Sequence, residues 1–275
     1  MLPLVVAAGL FLLTAVTLLW LLSLILRDAS IVDVFWGLGF VSVYWIGYVL
    51  VHSSANAIQP IPARHLLVGC LVTIWGLRLA VHILLRNWGR GEDFRYARWR
   101  GEAGQAWWWR SYFKVFLLQG IILWLVSWPL LAILAGPSSP SLRLLDLLAI
   151  LVWGTGLFFE AVGDYQLHRF KKDPTNKGQL LNNGLWRYSR HPNYFFEWIL
   201  WCGFGVLGLA GPWGGVGLLA PLLILYSILF VTGIPPTEAQ ALASRGEDYR
   251  RYQRSTSPFV PWPPKLPSEE NGENY

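Results

Sequence analysis

Apolar residues run along this chain in long blocks, with polar residues gathered between them. Seven blocks stand out, at roughly 3–26, 33–52, 65–85, 113–135, 144–163, 193–210 and 214–233. A helix needs about 20 apolar residues to cross a bilayer's hydrocarbon core. The pattern therefore predicts an all-α integral membrane protein with seven transmembrane helices. Breakers fall between the blocks: Pro60 and Pro62 before the third, Gly136-Pro137-Ser138-Ser139-Pro140 after the fourth, and Gly211-Pro212 after the sixth. The last is so short that spans six and seven are expected to form a hairpin. The first block lacks a basic leader and a small-residue cleavage site, and it is too long for a signal-peptide core, so it is read as a span. Residues 1–265 are expected to form a single transmembrane domain. After Pro258 the chain becomes Pro-rich and then polar, and 266–275 are expected to be disordered. No internal repeat is visible.

Composition agrees with this class: 54% of residues are hydrophobic and 14% charged, against about 25% charged in a soluble domain. Charge adds an orientation. With seven spans, 19 of the 22 Lys and Arg residues fall on one side, in the 86–114 and 164–190 connections, at Arg27 and in the tail. The positive-inside rule then puts the N-terminus outside and the C-terminus in the cytoplasm, as for a multi-pass protein of a bacterial inner membrane or its equivalent. The net charge of +6 is thereby explained without a nucleic-acid partner. Cys70 and Cys202 sit in apolar runs with no ligand-spaced neighbours, so they are read as buried thiols, and no metal site is expected.

Candidate chemistry lies in polar residues that the blocks should not contain. Intramembrane ionisable groups are costly and mark functional sites by default. In the third block Trp75, Arg78, His82 and Arg86 are spaced to share one helix face. Arg86 can snorkel to the interface, whereas Arg78 lies deeper. Arg78 either pairs with a carboxylate, Asp33 being one possibility, or serves a site. At the end of the fifth block Glu160, Asp164 and His168 form a stripe at i, i+4, i+8, followed by Lys171 and Lys172. The densest stretch is GLWRYSRHPNYFFEWILW, residues 184–201. Pro192 suits the first position of a helix, which puts His191 near its cap and Asn193 and Glu197 on one face. A helix N-terminus attracts anions, and Arg187 and Arg190 add charge there. Interfacial anchoring accounts for Trp186, Arg187 and Tyr188 but not for Asn193 and Glu197. The chain has no dinucleotide-binding glycine fingerprint, Walker loop or H-E-x-x-H motif. Any cofactor must be held by the helices and their connections.

Three runs carry a family resemblance: D-Y-Q-L-x-x-F-K-x-D-P-x-N-K-G, then G-L-W-R-Y-S-R-H-P-N-Y-x-x-E-W, then G-E-D-Y-R-R-Y-Q-R-x-T-S-P-F-V-P-W-P-P. With D-V-F-W-G-L-G-F and W-G-L-R-L-A-x-H earlier in the chain, they resemble the DUF1295 membrane proteins. These belong to the steroid 5-alpha-reductase-like superfamily, which includes sterol C14 and C7 reductases. The resemblance runs from about residue 30 to 265 and is most specific over 160–200. It implies an NADP(H) site in the C-terminal part, about 144–265, on the cytoplasmic side. Asp164, Asn193 and Glu197 match the family's cofactor-orienting residues, Lys171 and Arg187 would face phosphates, and Arg190 is also expected at the cofactor. His191 and Tyr194 belong to the same motif, Arg78 matches an Arg that reaches the cofactor region, and Glu238 and Tyr249 would close the site. Two departures stand out. The Gly of the family's N-x-x-G-E motif is Phe196 here. The acidic residue that meets the substrate carbonyl in steroid 5-alpha-reductases has no counterpart in QPIPARH.

The resulting expectation is NADPH-dependent reduction of a carbon–carbon double bond in a lipid or steroid-like enone. The partners are the bilayer and a hydrophobic small-molecule substrate, with His82, Asp33 and Arg78 as candidate catalytic groups. R-H-P-x-Y is also similar to isoprenylcysteine and phospholipid methyltransferases, so methyl transfer from S-adenosylmethionine is one alternative. A non-catalytic lipid-binding protein is another. Oligomeric state is not legible.

Overall fold

A computed structural model describes residues 1–53, 62–136, 142–209 and 213–265. Pro60, most of the Gly136–Pro140 breaker, the Gly211-Pro212 turn and the expected disordered tail lie outside these residues. Among the described residues every regular element is helical. In order they are α1 (Leu2–Leu26), α2 (Ile31–Ser53), α3 (Ala63–Asn87), α4 (Phe94–Ala103), α5 (Trp107–Ser111), α6 (Leu118–Ala135), α7 (Leu144–Lys172), α8 (Pro192–Leu209), α9 (Gly214–Gly217), α10 (Leu219–Tyr226) and α11 (Ile234–Ser255). A wide π-turn, Tyr112–Leu117, carries α5 into α6.

Among the described residues six helical stretches are long and apolar enough to cross a membrane: Leu2–Leu26, Ile31–Ser53, Ala63–Asn87, Phe94–Ala135, Leu144–Lys172 and Gly214–Ser255. The block expected as span six is α8, only 18 residues long. At 1.5 Å per residue these described residues rise about 27 Å, close to the thickness of a hydrocarbon core. Its first turns hold Asn193 and Glu197, which lowers its apolar character further.

Three helices, α4, α5 and α11, arise where the hydrophobic pattern showed only connection or tail. α4 fills the basic 86–114 connection, started by Asp93, whose side chain accepts from Arg95 N at 3.0 Å. Such a cap satisfies one of the free N–H groups of a first turn. α11 follows Gly233 with prolines in its opening turn, where a missing N–H costs nothing. Its charged side chains set it apart from the apolar run that ends at Val231.

The chain folds as two compact units, Met1–Leu147 with Phe204–Ala220, and Leu148–Gly203 with Pro221–Tyr275. In the first unit α2 and α3 cross backbone to backbone: a Cβ on Gly37 would lie 2.1 Å from the carbonyl oxygen of Gly76. Small residues permit this approach where no water drives association. Arg64 grips buried Asp146 through two nitrogens, at 2.8 and 2.5 Å. Many large apolar side chains point outward, among them Leu2, Ile25 and Leu85, a surface suited to hydrocarbon rather than water. Cys70 is exposed on that surface and Cys202 is half-buried, which corrects the expectation of two buried thiols. An apolar helix position in a membrane chain can face lipid as readily as core.

Candidate functional site

The second unit is built on α7 and α8, which meet at a glycine. A Cβ on Gly156 would lie 2.5 Å from Leu200 N and 2.7 Å from the Phe196 carbonyl oxygen. Phe196, which stands where the family motif has Gly, stacks on Phe159 at 4.8 Å. Two turns along α7 the crossing brings Asp164 to Asn193, whose Nδ2 donates to Asp164 Oδ1 at 3.0 Å. Asp164 and Glu160 are buried, while His168 and Lys171 at the end of the stripe are exposed. Glu197, one turn beyond Asn193, is half-buried.

The approach to α8 is pinned onto α7. Leu185 N donates to Gln166 Oε1 at 3.0 Å, and the Trp186 indole donates to the Gly163 carbonyl at 3.1 Å. Gly184, at φ 58°, lies so close to Gln166 that a side chain would collide with it. Arg187 is exposed at the end of this turn.

Arg190, His191, Glu238 and Tyr249, all expected at the cofactor, are brought together, but by one another. Arg190 Nε donates to Glu238 Oε1 at 2.6 Å, its Nη1 to the carbonyls of Gln253 and Thr256, and its backbone N–H to Ser257. His191 Nε2 lies 3.3 Å from Glu238 Oε1, and the Tyr249 hydroxyl donates to the same oxygen at 3.3 Å. Gln253 donates to the other oxygen at 2.8 Å. Burial alone would raise the Glu238 carboxyl, but the hydrogen bonds from His191 and Arg190 and the Arg190 charge outweigh it and pull it down to about 2. Burial, and then the Glu238 charge, pushes the Tyr249 hydroxyl up to about 12, so it stays a neutral donor. These four residues form a lock that fastens α11 to the turn before α8.

Further residues that fasten the same junction, Gln253 among them, were not candidates from the sequence. Tyr252 donates to the Trp186 carbonyl. Ser189 donates to the Phe259 carbonyl at 2.8 Å, and Trp262 N to the Tyr188 carbonyl at 2.9 Å. Phe259 is wedged against Phe195 and Trp198. The signal was present in the F-V-P-W-P-P run. Prolines hold such a segment extended, free to pair with a neighbouring backbone.

In the first unit Arg78 and His82 lie half-buried on α3, with Trp75 buried on the same face. Asp33, suggested as the partner of Arg78, has other hydrogen-bond partners. Arg95 donates to Oδ2 at 2.7 Å and the Tyr96 hydroxyl to Oδ1 at 2.6 Å. Gln119 then donates to Tyr96 and accepts from Trp36. The reason is α4: once the connection folds as a helix, it delivers a cation and a phenol to the start of α2.

Helices of this length and apolarity, with buried carboxylates and an amide gathered at a helix start, define a multi-pass helical membrane protein with a polar site in its second unit. The chain belongs to the DUF1295 family, described as a protein of unknown function, whose profile matches residues 19–256. It is similar to an uncharacterized protein of Schizosaccharomyces pombe, 28% identical over 217 residues, 69% of this chain and 60% of that one. The chain thus spans about three-fifths of that relative's length. No solved structure matches.

Proposed function

We propose that the chain is a membrane-embedded, NADPH-dependent reductase of a carbon–carbon double bond in a lipid or steroid-like enone. The reaction class rests on the resemblance to the reductase superfamily. The observation that carries the site is the Asp164–Asn193 hydrogen bond at the start of α8. It fixes an amide and a carboxylate beside a helix N-terminus, with exposed Lys171 and Arg187 on the segments flanking it.

The donor set suits a phosphate-bearing dinucleotide. Arg187 and Lys171 would meet phosphate charge, the free N–H groups of α8 favour an anion, and Asn193, Glu197 and Asp164 would orient an amide-bearing ring. Tyr194 lies in the first turn of the same helix. Arg190 serves differently: its guanidinium is spent on Glu238 and two carbonyls, so it positions the helix start rather than touching phosphate. The cofactor, when bound, supplies hydride to the β-carbon of the enone. The chain's own part is to polarise the carbonyl and stabilise the enolate with a preorganised donor, and Arg78 and His82 are the candidates. Asp33 is a weaker one, because both its oxygens already accept. In this reading the polar connections and α11 are cytoplasmic, which the distribution of Lys and Arg over seven spans favours.

Thermal stabilisation of the detergent-purified protein by NADPH, NADH and S-adenosylmethionine tests this. At 100 times its Kd a ligand adds about 2.7 kcal/mol. NADPH is expected to stabilise wild type and to lose that effect in Glu197→Ala. Stabilisation by S-adenosylmethionine instead would make the protein a methyltransferase, and no response to any of the three would remove the enzymatic reading.

A further inference from the structure

A groove in the first unit, independent of the reductase reading, has a chemistry of its own. It lies between Trp99 of α4 and the turn that leads from α5 into α6, with a volume of about 390 Å³, within the range of small-ligand sites. Its walls are the indoles of Trp99, Trp107 and Trp109 and the ring of Phe113, and its cations are Arg110 and Lys114. Lys114 Nζ stands 4.3 Å from the centre of the Trp99 ring, and the Arg110 guanidinium 5.5 Å from that of Trp109.

The charge pattern separates these two from their neighbours. Arg95, Arg98 and Arg100 each hold a carboxylate, on Asp33 and Asp93, Glu102 and Glu92 respectively. Among the described residues Arg110 and Lys114 form no ion pair. Glu102, the acid at the groove, is taken by Arg98 at 2.8 Å. The groove therefore sets two positive charges among aromatic faces, with Glu102 the one acid in its lining.

Its position indicates what it meets. Lys114 is the last charge before a stretch with none, from Val115 to Ala135. Trp108, Trp109 and Phe113 are exposed at that boundary, the composition of a bilayer interface. Exposed Leu118 and Ile121 continue from it into the apolar helix. The site is also braced. The Trp20 indole donates to the Trp108 carbonyl at 2.8 Å, Trp20 packs edge-on to Tyr112, and Arg100 lies over buried Trp107.

We propose that this groove binds the phosphate-bearing headgroup of an anionic phospholipid, with Arg110 and Lys114 meeting the phosphate, the indoles packing the glycerol region and the acyl chains lying along α6. A free phosphate would gain the charges but leave the apolar walls uncovered.

The test titrates the full-length protein in mixed micelles with phosphatidylglycerol or phosphatidylcholine and counts retained lipid by native mass spectrometry. Wild type is expected to prefer phosphatidylglycerol. The preference should fall about fivefold for each cation removed, the worth of one basic residue at an anionic surface, in Lys114→Gln and again in Arg110→Gln/Lys114→Gln. Lys114→Arg should retain it. Both positions are exposed, so circular dichroism of the variants should match wild type. NADPH stabilisation should be unchanged in them, which separates this site from the cofactor site. Equal retention of the two lipids by wild type, or an undiminished preference in the double variant, would overturn the proposal. So would displacement of phosphatidylglycerol by millimolar inorganic phosphate.

Discussion

At the scale of single residues, Glu238 holds four partners in the second unit. It accepts from Arg190, His191, Tyr249 and Gln253, and its removal leaves a buried guanidinium short of its counter-charge. Breaking such a pair from one side costs about 3 kcal/mol. Glu238→Ala should lower the apparent melting temperature in detergent, and Glu238→Gln should lower it less, because the amide still offers an acceptor. The pH dependence has a definite sign. The carboxyl lies near 2 in the folded chain against an ordinary value of 4.5. Its contribution is complete above pH 4.5 and is lost as pH falls toward 2. Melting curves from pH 6 to pH 3 should show wild type losing stability below about 4.5, with Glu238→Gln losing less over that window. Identical pH profiles for the two would show that Glu238 does not lock the tail. Asp33 teaches the complementary lesson. Its location at the start of α2 was legible, but its partners were not, because Arg95 and Tyr96 come from a helix that the hydrophobic pattern left out.

At the scale of elements, the α7–α8 crossing governs the site. Gly156 lets the two backbones meet, and two turns along the same crossing Asn193 reaches Asp164. Gly156→Val would drive branched carbons into the backbone at Leu200 and Phe196. Overpacking of this kind costs about 1–3 kcal/mol, and here the obstruction is backbone rather than a side chain that can turn. The variant should melt lower than wild type and lose its stabilisation by NADPH. Gly154→Val, where a Cβ meets nothing within 4 Å, should behave as wild type in both. If the two variants retain NADPH binding equally, the crossing does not set the site. The family motif placed the small residue on α8. Here α8 carries Phe196, and the close contact between the two helices is made by Gly156 of α7, which no reading of one helix alone would reveal.

At the scale of the whole molecule, the number of crossings decides which side each terminus occupies. Seven crossings put the termini on opposite sides, and six put them together. Reporter fusions at each end would resolve this. The distribution of Lys and Arg leads us to expect a cytoplasmic C-terminus and an external N-terminus, with α8 crossing despite its 18 residues. Both termini on one side would mean that α8 enters the bilayer without spanning it, and the inferred sidedness of α7 would then need revision.

The long apolar helices, the polar intruders Arg78, Glu160, Asp164, Asn193 and Glu197, and the likeness to DUF1295 proteins were all readable from the chain alone. Hydrophobic run length and the cost of polar groups in hydrocarbon act locally, so composition and spacing record them. The commitment of Arg190 to Glu238, the pairing of Asp33 with Arg95, the wedge of Phe259 and the small residue at Gly156 were not readable. Each depends on segments 40 or more residues apart in sequence, and only packing chooses among the carboxylates, cations and small residues that were equally available.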